Sequence, residues 1–190
     1  MGAGVDNNDL DNTTALIAVM EGGNPVEDAV VSINGTVIDH FLFGTYLAIG
    51  LGINAGDDVI LEVQRGGSSV SATLQMPAKP AITAPAGGAQ SEPVPVSWTW
   101  APATNPDMFA ITVGASYTPG GALGDDYVGT ELGTARAHSI PDGTFDTSLS
   151  TAYVTVGAVV QTTSLTGDAA AGSAFEVSNT DQSPAFDPEP

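Results

Sequence analysis

The residues able to do acid–base, nucleophilic or metal chemistry are few in this chain of 190 residues. There are two imidazoles, His40 and His138, and no cysteine. The cations number three, Arg65, Lys79 and Arg136, against 22 carboxylates. A Ser-His-Asp site needs a serine held beside one of the histidines, and neither a Gly-x-Ser-x-Gly elbow nor a His-Glu-x-x-His pair occurs. Both histidines are expected to be structural or surface residues. Without a thiol there is no disulfide, thiolate metal site or cysteine nucleophile. No catalytic residue is assigned, and the chain reads as a non-enzyme with no cofactor.

The carboxylates cluster in places that invite a calcium reading. Asp6-Asn7-Asn8-Asp9-Leu10-Asp11-Asn12 offers many oxygens, but the EF-hand spacing fails: Asp11 stands where glycine is needed and Ile17 where the bidentate glutamate is needed. The segment reads as a solvated tether. Asp57-Asp58 and Asp125-Asp126 are adjacent pairs. Neighbours on a strand face opposite ways, so these are expected to bond local backbone N–H groups in turns, with loop-bound calcium as the alternative. Gly22-Gly23, Gly66-Gly67, Gly87-Gly88 and Gly120-Gly121 have no following Lys-Ser/Thr and read as turns, not phosphate cradles. Trp98 and Trp100 share one strand parity. Either both serve core and sandwich end, or Trp100 offers a stacking platform for a glycan. Asn12-Thr13-Thr14 and Asn34-Gly35-Thr36 match the glycosylation acceptor pattern, though Asn34 is also wanted by a turn.

Charge narrows the partners. The formal net charge is −19, yet only 13% of residues are charged, about half the usual share. Bases are missing; acids are not in excess. Such a surface repels polyanions, and three scattered cations make no stripe for phosphate or anionic lipid. No apolar run reaches the length of a membrane span. Met1–Asp9 has neither a basic nor an apolar region, so it is not read as a signal peptide; none exists, or it has been removed.

The elements that would position these residues are strands. Ala15-Leu16-Ile17-Ala18-Val19-Met20 is a short apolar run ended by a Gly-Gly-Asn-Pro turn, and predicts a strand buried on both faces. Asn34-Gly35 between β-branched runs is a strong hairpin signal. Val59, Leu61 and Val63, then Val70, Ala72, Leu74 and Met76, alternate with polar partners at period two. Val94, Val96, Trp98 and Trp100 share a face, as do Phe109, Ile111, Val113 and Ala115. Tyr153–Val160 is β-branched. No helical periodicity occurs, so the fold class is all-β, with two tandem sandwiches. The expected partition is a flexible acidic leader at 1–13, a sandwich at 14–77, a Pro-rich linker at 78–80, a second sandwich at 81–178 and an extended tail at 179–190.

The second unit resembles a fibronectin type III domain of the bacterial kind. Pro80-Ala81-Ile82-Thr83-Ala84-Pro85 is similar to its opening strand. Val94-Pro95-Val96-Ser97-Trp98 is similar to its second strand with the core tryptophan, and Phe109-Ala110-Ile111-Thr112-Val113 to its third. Val154-Thr155-Val156-Gly157-Ala158 resembles its Val-x-Val-x-Ala strand. The family's tyrosine two residues before the first valine is replaced by Ala152, with Tyr153 one position off. The first unit, from Gly23-Asn24-Pro25-Val26 to Ala29-Val30-Val31, resembles an Ig-like or carboxypeptidase-regulatory-like sandwich. The resemblance implies extracellular or cell-surface use and no chemistry.

With about six strands, the first unit reads as one short of a full sandwich. An unpaired edge templates strand addition, and head-to-tail contacts give open filaments. The sequence therefore predicts a non-catalytic subunit of an extracellular fibre, its partner being itself. The candidate assembly strand is Ala15, Leu16, Ile17, Ala18, Val19 and Met20, with a tail contact at Phe186; the alternative for the run is that it is the first strand of its own domain. Competing readings are a surface adhesion or carbohydrate-binding module and an accessory domain of a larger hydrolase.

Overall fold

The computed structural model describes residues 1–7, 13–117, 127–145 and 149–189. It is all-β: the described residues form strands joined by turns, and none of them is helical. The chain divides into two compact units that are not consecutive in sequence. The first takes Met1–Ala78 with Val159–Asn179, and the second takes Lys79–Ala158 with Thr180–Pro190.

In the first unit, two sheets enclose one core. One sheet runs from residues 174–179 of the strand Ala174–Gln182, parallel to Gly2–Asn7, through antiparallel Thr13–Ala18 and Thr45–Ile49 to the short edge strand His40–Leu42. The other orders Thr166–Gly167, Ser68–Gln75, Asp58–Arg65, Val30–Ile33 and Thr36–Ile38. Period-two burial follows the sequence pattern: Val59, Leu61 and Val63 point inward while Ile60, Glu62 and Gln64 face out. They meet Val5, Ile17 and Tyr46 from the facing sheet, with Phe175 and Val177 from the late segment. Alternation with one apolar face is what a two-layer sandwich requires.

The second unit is also a two-sheet sandwich. Ala81–Ala84, Val94–Thr99 and Ala137–Ile140 form one sheet. In the other, Gly88–Ser91 lies parallel to Phe186–Glu189. That strand meets Leu149–Thr162 at Ala152, which is followed by Met108–Tyr117 and Val128–Leu132. The first four strands, Ala81–Ala84, Gly88–Ser91, Val94–Thr99 and Met108–Tyr117, alternate between the two sheets, whereas Val128–Leu132 stays beside Met108–Tyr117. Trp98 packs against Phe109 at 5.0 Å, and Phe145 meets Phe186 edge-on at 5.8 Å, inside a core of valines and isoleucines.

Several expectations need correction. Residues 2–7 of the expected leader are a strand, Gly2–Asn7, held between two neighbours. The tail carries the strand Phe186–Glu189 and buries Phe186. Residues 159–178 do not belong with 81–158: Val159–Asn179 completes the first unit and supplies the strand the early segment lacks. The run from Ala15 is not buried on both faces, because Leu16 and Met20 stand in solvent while Ala15, Ile17 and Val19 are inside. The first three share a reason. Period two marks a strand and its inner face, but a short polar strand such as Gly2–Asn7 has no such signature, and pairing partners lie far off in sequence.

Candidate functional site

The side chains with chemical capacity are placed by strand ends and turns. His138 sits in Ala137–Ile140, and Glu131 in Val128–Leu132 of the opposite sheet. His138 Nδ1 lies 2.8 Å from Glu131 Oε1, and its Nε2 meets the Tyr127 hydroxyl. The result is a continuous carboxylate–imidazole–phenol line joining the two sheets of the second unit. Gly129 makes room for it: a Cβ there would lie 2.9 Å from His138 Nε2 and 3.0 Å from the Tyr127 oxygen. Chemically, the Glu131 contact at Nδ1 can orient the imidazole so that Nε2 accepts a hydrogen bond from the Tyr127 hydroxyl. Mechanically, it ties the strand ends of two sheets. The sequence expectation for His138 was a structural or surface role, and no motif spacing names Glu131 and Tyr127 as its partners.

His40 is engaged differently. It accepts a hydrogen bond from Gly44 N at 3.3 Å and stacks edge-on against Tyr46 at 5.3 Å, so it closes the hairpin at residues 42–45. Tyr46 is buried; its hydroxyl donates to Val26 O at 3.2 Å and accepts from Ala29 N at 3.0 Å. Burial pushes its pKa above the ordinary value of 10.0, with the nearby charge of Asp28 acting the same way.

The cations are each tied locally. Arg65 bridges Asp28 at 2.6 Å and Glu21. Lys79 faces Asp181 at 3.7 Å. Arg136 donates to the carbonyls of Gly133 and Ala135 and to Asn105, and lies 5.4 Å over the Phe109 ring. Asp57 accepts from Asn54 N at 2.8 Å, as its turn position predicts. Among the described residues no three histidines or carboxylates converge as a metal site; Asp6 lies in a strand and accepts from Ser178, while Asn8–Asn12 and Asp125-Asp126 lie outside the described residues. Asn34 donates to Asp58 O at 2.9 Å and accepts from Ile60 N at 2.7 Å, so its amide serves the turn.

The candidate assembly strand is paired within its own sheet, with Leu16 and Met20 left in solvent. Ala15 and Ile17 are fully buried and their strand is paired on both sides; Phe186 is a core residue. Trp98 is core as well, with its indole N–H lacking a protein partner. Trp100 is half-buried, donates to Thr104 O at 3.0 Å and stands edge-on to Phe109 at 5.5 Å. Tyr153 lies against Gly114, where a Cβ would fall 2.1 Å from its ring.

No family model matches the chain, and no curated protein matches it. Among solved structures, the fibronectin(III)-like modules of CbhA from Clostridium thermocellum are similar over 93% of this chain and 88% of that chain, at 13% identity and a TM-score of 0.26. A superposition that loose carries no argument, and the all-β sandwich assignment rests on the strand pairing described above. Among the described residues, no helix is long and apolar enough to cross a membrane.

One surface feature escaped the sequence reading. Asn34-Gly35 and Phe43-Gly44 both turn hairpins with positive φ at two successive residues, 49° and 76° in the first and 48° and 72° in the second. Asn-Gly is the expected pair for such a turn. A bulky aromatic there is an outlier, and Phe43 is 70% exposed.

Proposed function

We propose that the chain is a non-catalytic structural subunit of an extracellular or cell-surface assembly. The observation that carries this reading is how the chain uses its reactive groups. His40, His138, Glu131, Tyr127 and the three cations are spent on closing turns and joining strands, while three strands of one sheet of the first unit present a largely apolar outer face without charge, bordered by Asp6 and Glu176 on the adjoining strands. The acid excess keeps the remainder soluble and repels polyanions.

In its fibre form, copies meet through surfaces. Donation of Ala15–Met20 or of the Phe186 segment would first require removing buried residues from their own cores, at about 1.5–3 kcal/mol per large apolar side chain. Face-to-face or head-to-tail contact needs no such extraction. Immunogold labelling of cells that make the protein tests the reading: label on the cell exterior or along filaments is expected, and label confined to the interior overturns it.

A further inference from the structure

We propose that the outer face of the sheet formed by Thr13–Ala18, Thr45–Ile49 and His40–Leu42 binds a second copy of this chain. The inference rests on the structural-subunit reading and names its contact surface.

The face is unusual in both composition and charge. Register places Thr14 opposite Ile49, Leu16 opposite Leu47 and Ala18 opposite Thr45; with Tyr46 and Ile17 inside, these residues point outward. Leu16 is 55% exposed and Ile49 68%. The hairpin at the edge adds Leu42, paired with Thr45, and Phe41, the extra residue of a bulge between His40 and Leu42. Phe41 is 65% exposed and Leu42 48%, and Phe43 caps the same hairpin. Together these side chains expose apolar area on the order of 500 Å², near the top of the range for a monomer's largest patch. That is a large part of the roughly 800 Å² each partner contributes to a standard interface.

Charge selects the occupant. The three strands contain no Asp, Glu, Lys or Arg, in a chain of net charge −19; carboxylates enter this face only at its border, with Asp6 opposite Thr14 and Glu176 beyond Gly4 from Leu16. Two like-charged copies repel over most of their surfaces; they can approach where neither carries charge. A cationic partner would instead be drawn to the carboxylates elsewhere, and anionic lipid or nucleic acid finds no cations here. The facing sheet offers a contrast: its outward positions include Glu62, Gln64, Ser71 and Thr73. Phe43 fits the same account. The turn would tolerate asparagine better, so the aromatic is held at a conformational cost of about 1–2 kcal/mol, and strain of that kind gathers at functional sites.

Sedimentation velocity on the purified full chain, over a concentration series in about 0.15 M NaCl, tests the proposal with three proteins. These are wild type, the double variant Leu16→Thr/Ile49→Thr, and Ile60→Thr on the outer face of the other sheet. Threonine keeps strand propensity, and circular dichroism verifies that each variant folds. Wild type is expected to self-associate at micromolar concentrations, more strongly as salt is raised. The double variant should weaken association at least tenfold, and Ile60→Thr should leave it unchanged. A wild type that stays monomeric throughout overturns the proposal. So does association that survives the double variant, or that Ile60→Thr weakens equally. Immunogold label on filaments together with intact association in the double variant would sink this face and spare the structural reading; a closed dimer abolished by the double variant, with label confined to the cell interior, would do the reverse.

Discussion

Asn34 and Phe43 occupy equivalent positions in two tight turns of the first unit, with φ near 49° in both. Asn34 is the better residue for that backbone and makes two side-chain hydrogen bonds to the neighbouring strand Asp58–Arg65. Opposite outcomes follow. Phe43→Asn should stabilise the fold by about 1 kcal/mol, read as a higher denaturant midpoint at unchanged slope in dilute protein. Asn34→Ala should cost about 1–2 kcal/mol, through the αL penalty and the lost bonds. If Phe43→Asn destabilises, the phenylalanine packs more than its exposure shows. Tyr46 gives a pH dependence. Burial raises its pKa in the folded state, so its contribution is complete below the unfolded value of about 10. It is lost as pH rises through the higher folded value. Stability should therefore fall above roughly pH 10, and Tyr46→Phe should lessen that fall.

At the scale of elements, the late segment Val159–Asn179 belongs to the first unit by three attachments. Residues 174–179 pair in register with Gly2–Asn7. Thr166–Gly167 pairs with Val70 and Ser71 at the edge of the facing sheet. Asn179, buried, donates to Pro77 O at 3.0 Å. Phe175, in the last strand of this segment, is fully buried in the core, and Phe175→Ala should cost about 3–5 kcal/mol in chemical denaturation. The corresponding deletion is more telling. A fragment of residues 1–78 lacks the strand that covers Gly2–Asn7 and two core residues, Phe175 and Val177. It is expected to be unfolded by circular dichroism and amide dispersion. A well-folded fragment would show that the early strands suffice. Gly167 is a pivot of the edge pairing: it has φ 86°, and a Cβ there would lie 2.1 Å from Ser69 O. Gly167→Ala should detach that edge.

For the whole molecule, charge imbalance sets the solution behaviour. With 22 carboxylates and three cations, most acids meet like charges and few partners. Repulsion in the folded state is screened over a Debye length of about 8–10 Å near physiological salt and far less below it. The thermal midpoint should rise as NaCl is increased from about 10 mM to about 150 mM. A midpoint independent of salt would mean the acids are spaced widely enough to ignore one another.

The amino-acid sequence by itself determined that the protein is all-β, because inward-facing residues such as Val59, Leu61 and Val63 or Val94, Val96 and Trp98 recur at period two, and because Asn-Gly and Gly-Gly pairs fit only turns. It also determined the scarcity of reactive groups. Only the tertiary structure decided which segment completes which sandwich. Pairing between Gly2–Asn7 and residues 174–179 is a backbone interaction across most of the chain's length, and backbone hydrogen bonds leave no trace in side-chain identity. For the same reason the Glu131–His138–Tyr127 line and the strained Phe43 turn were invisible until neighbouring strands brought them into register. Leu16 belonged to a run that read as buried on both faces, and it stands at the surface because its side of the sheet is open to solvent.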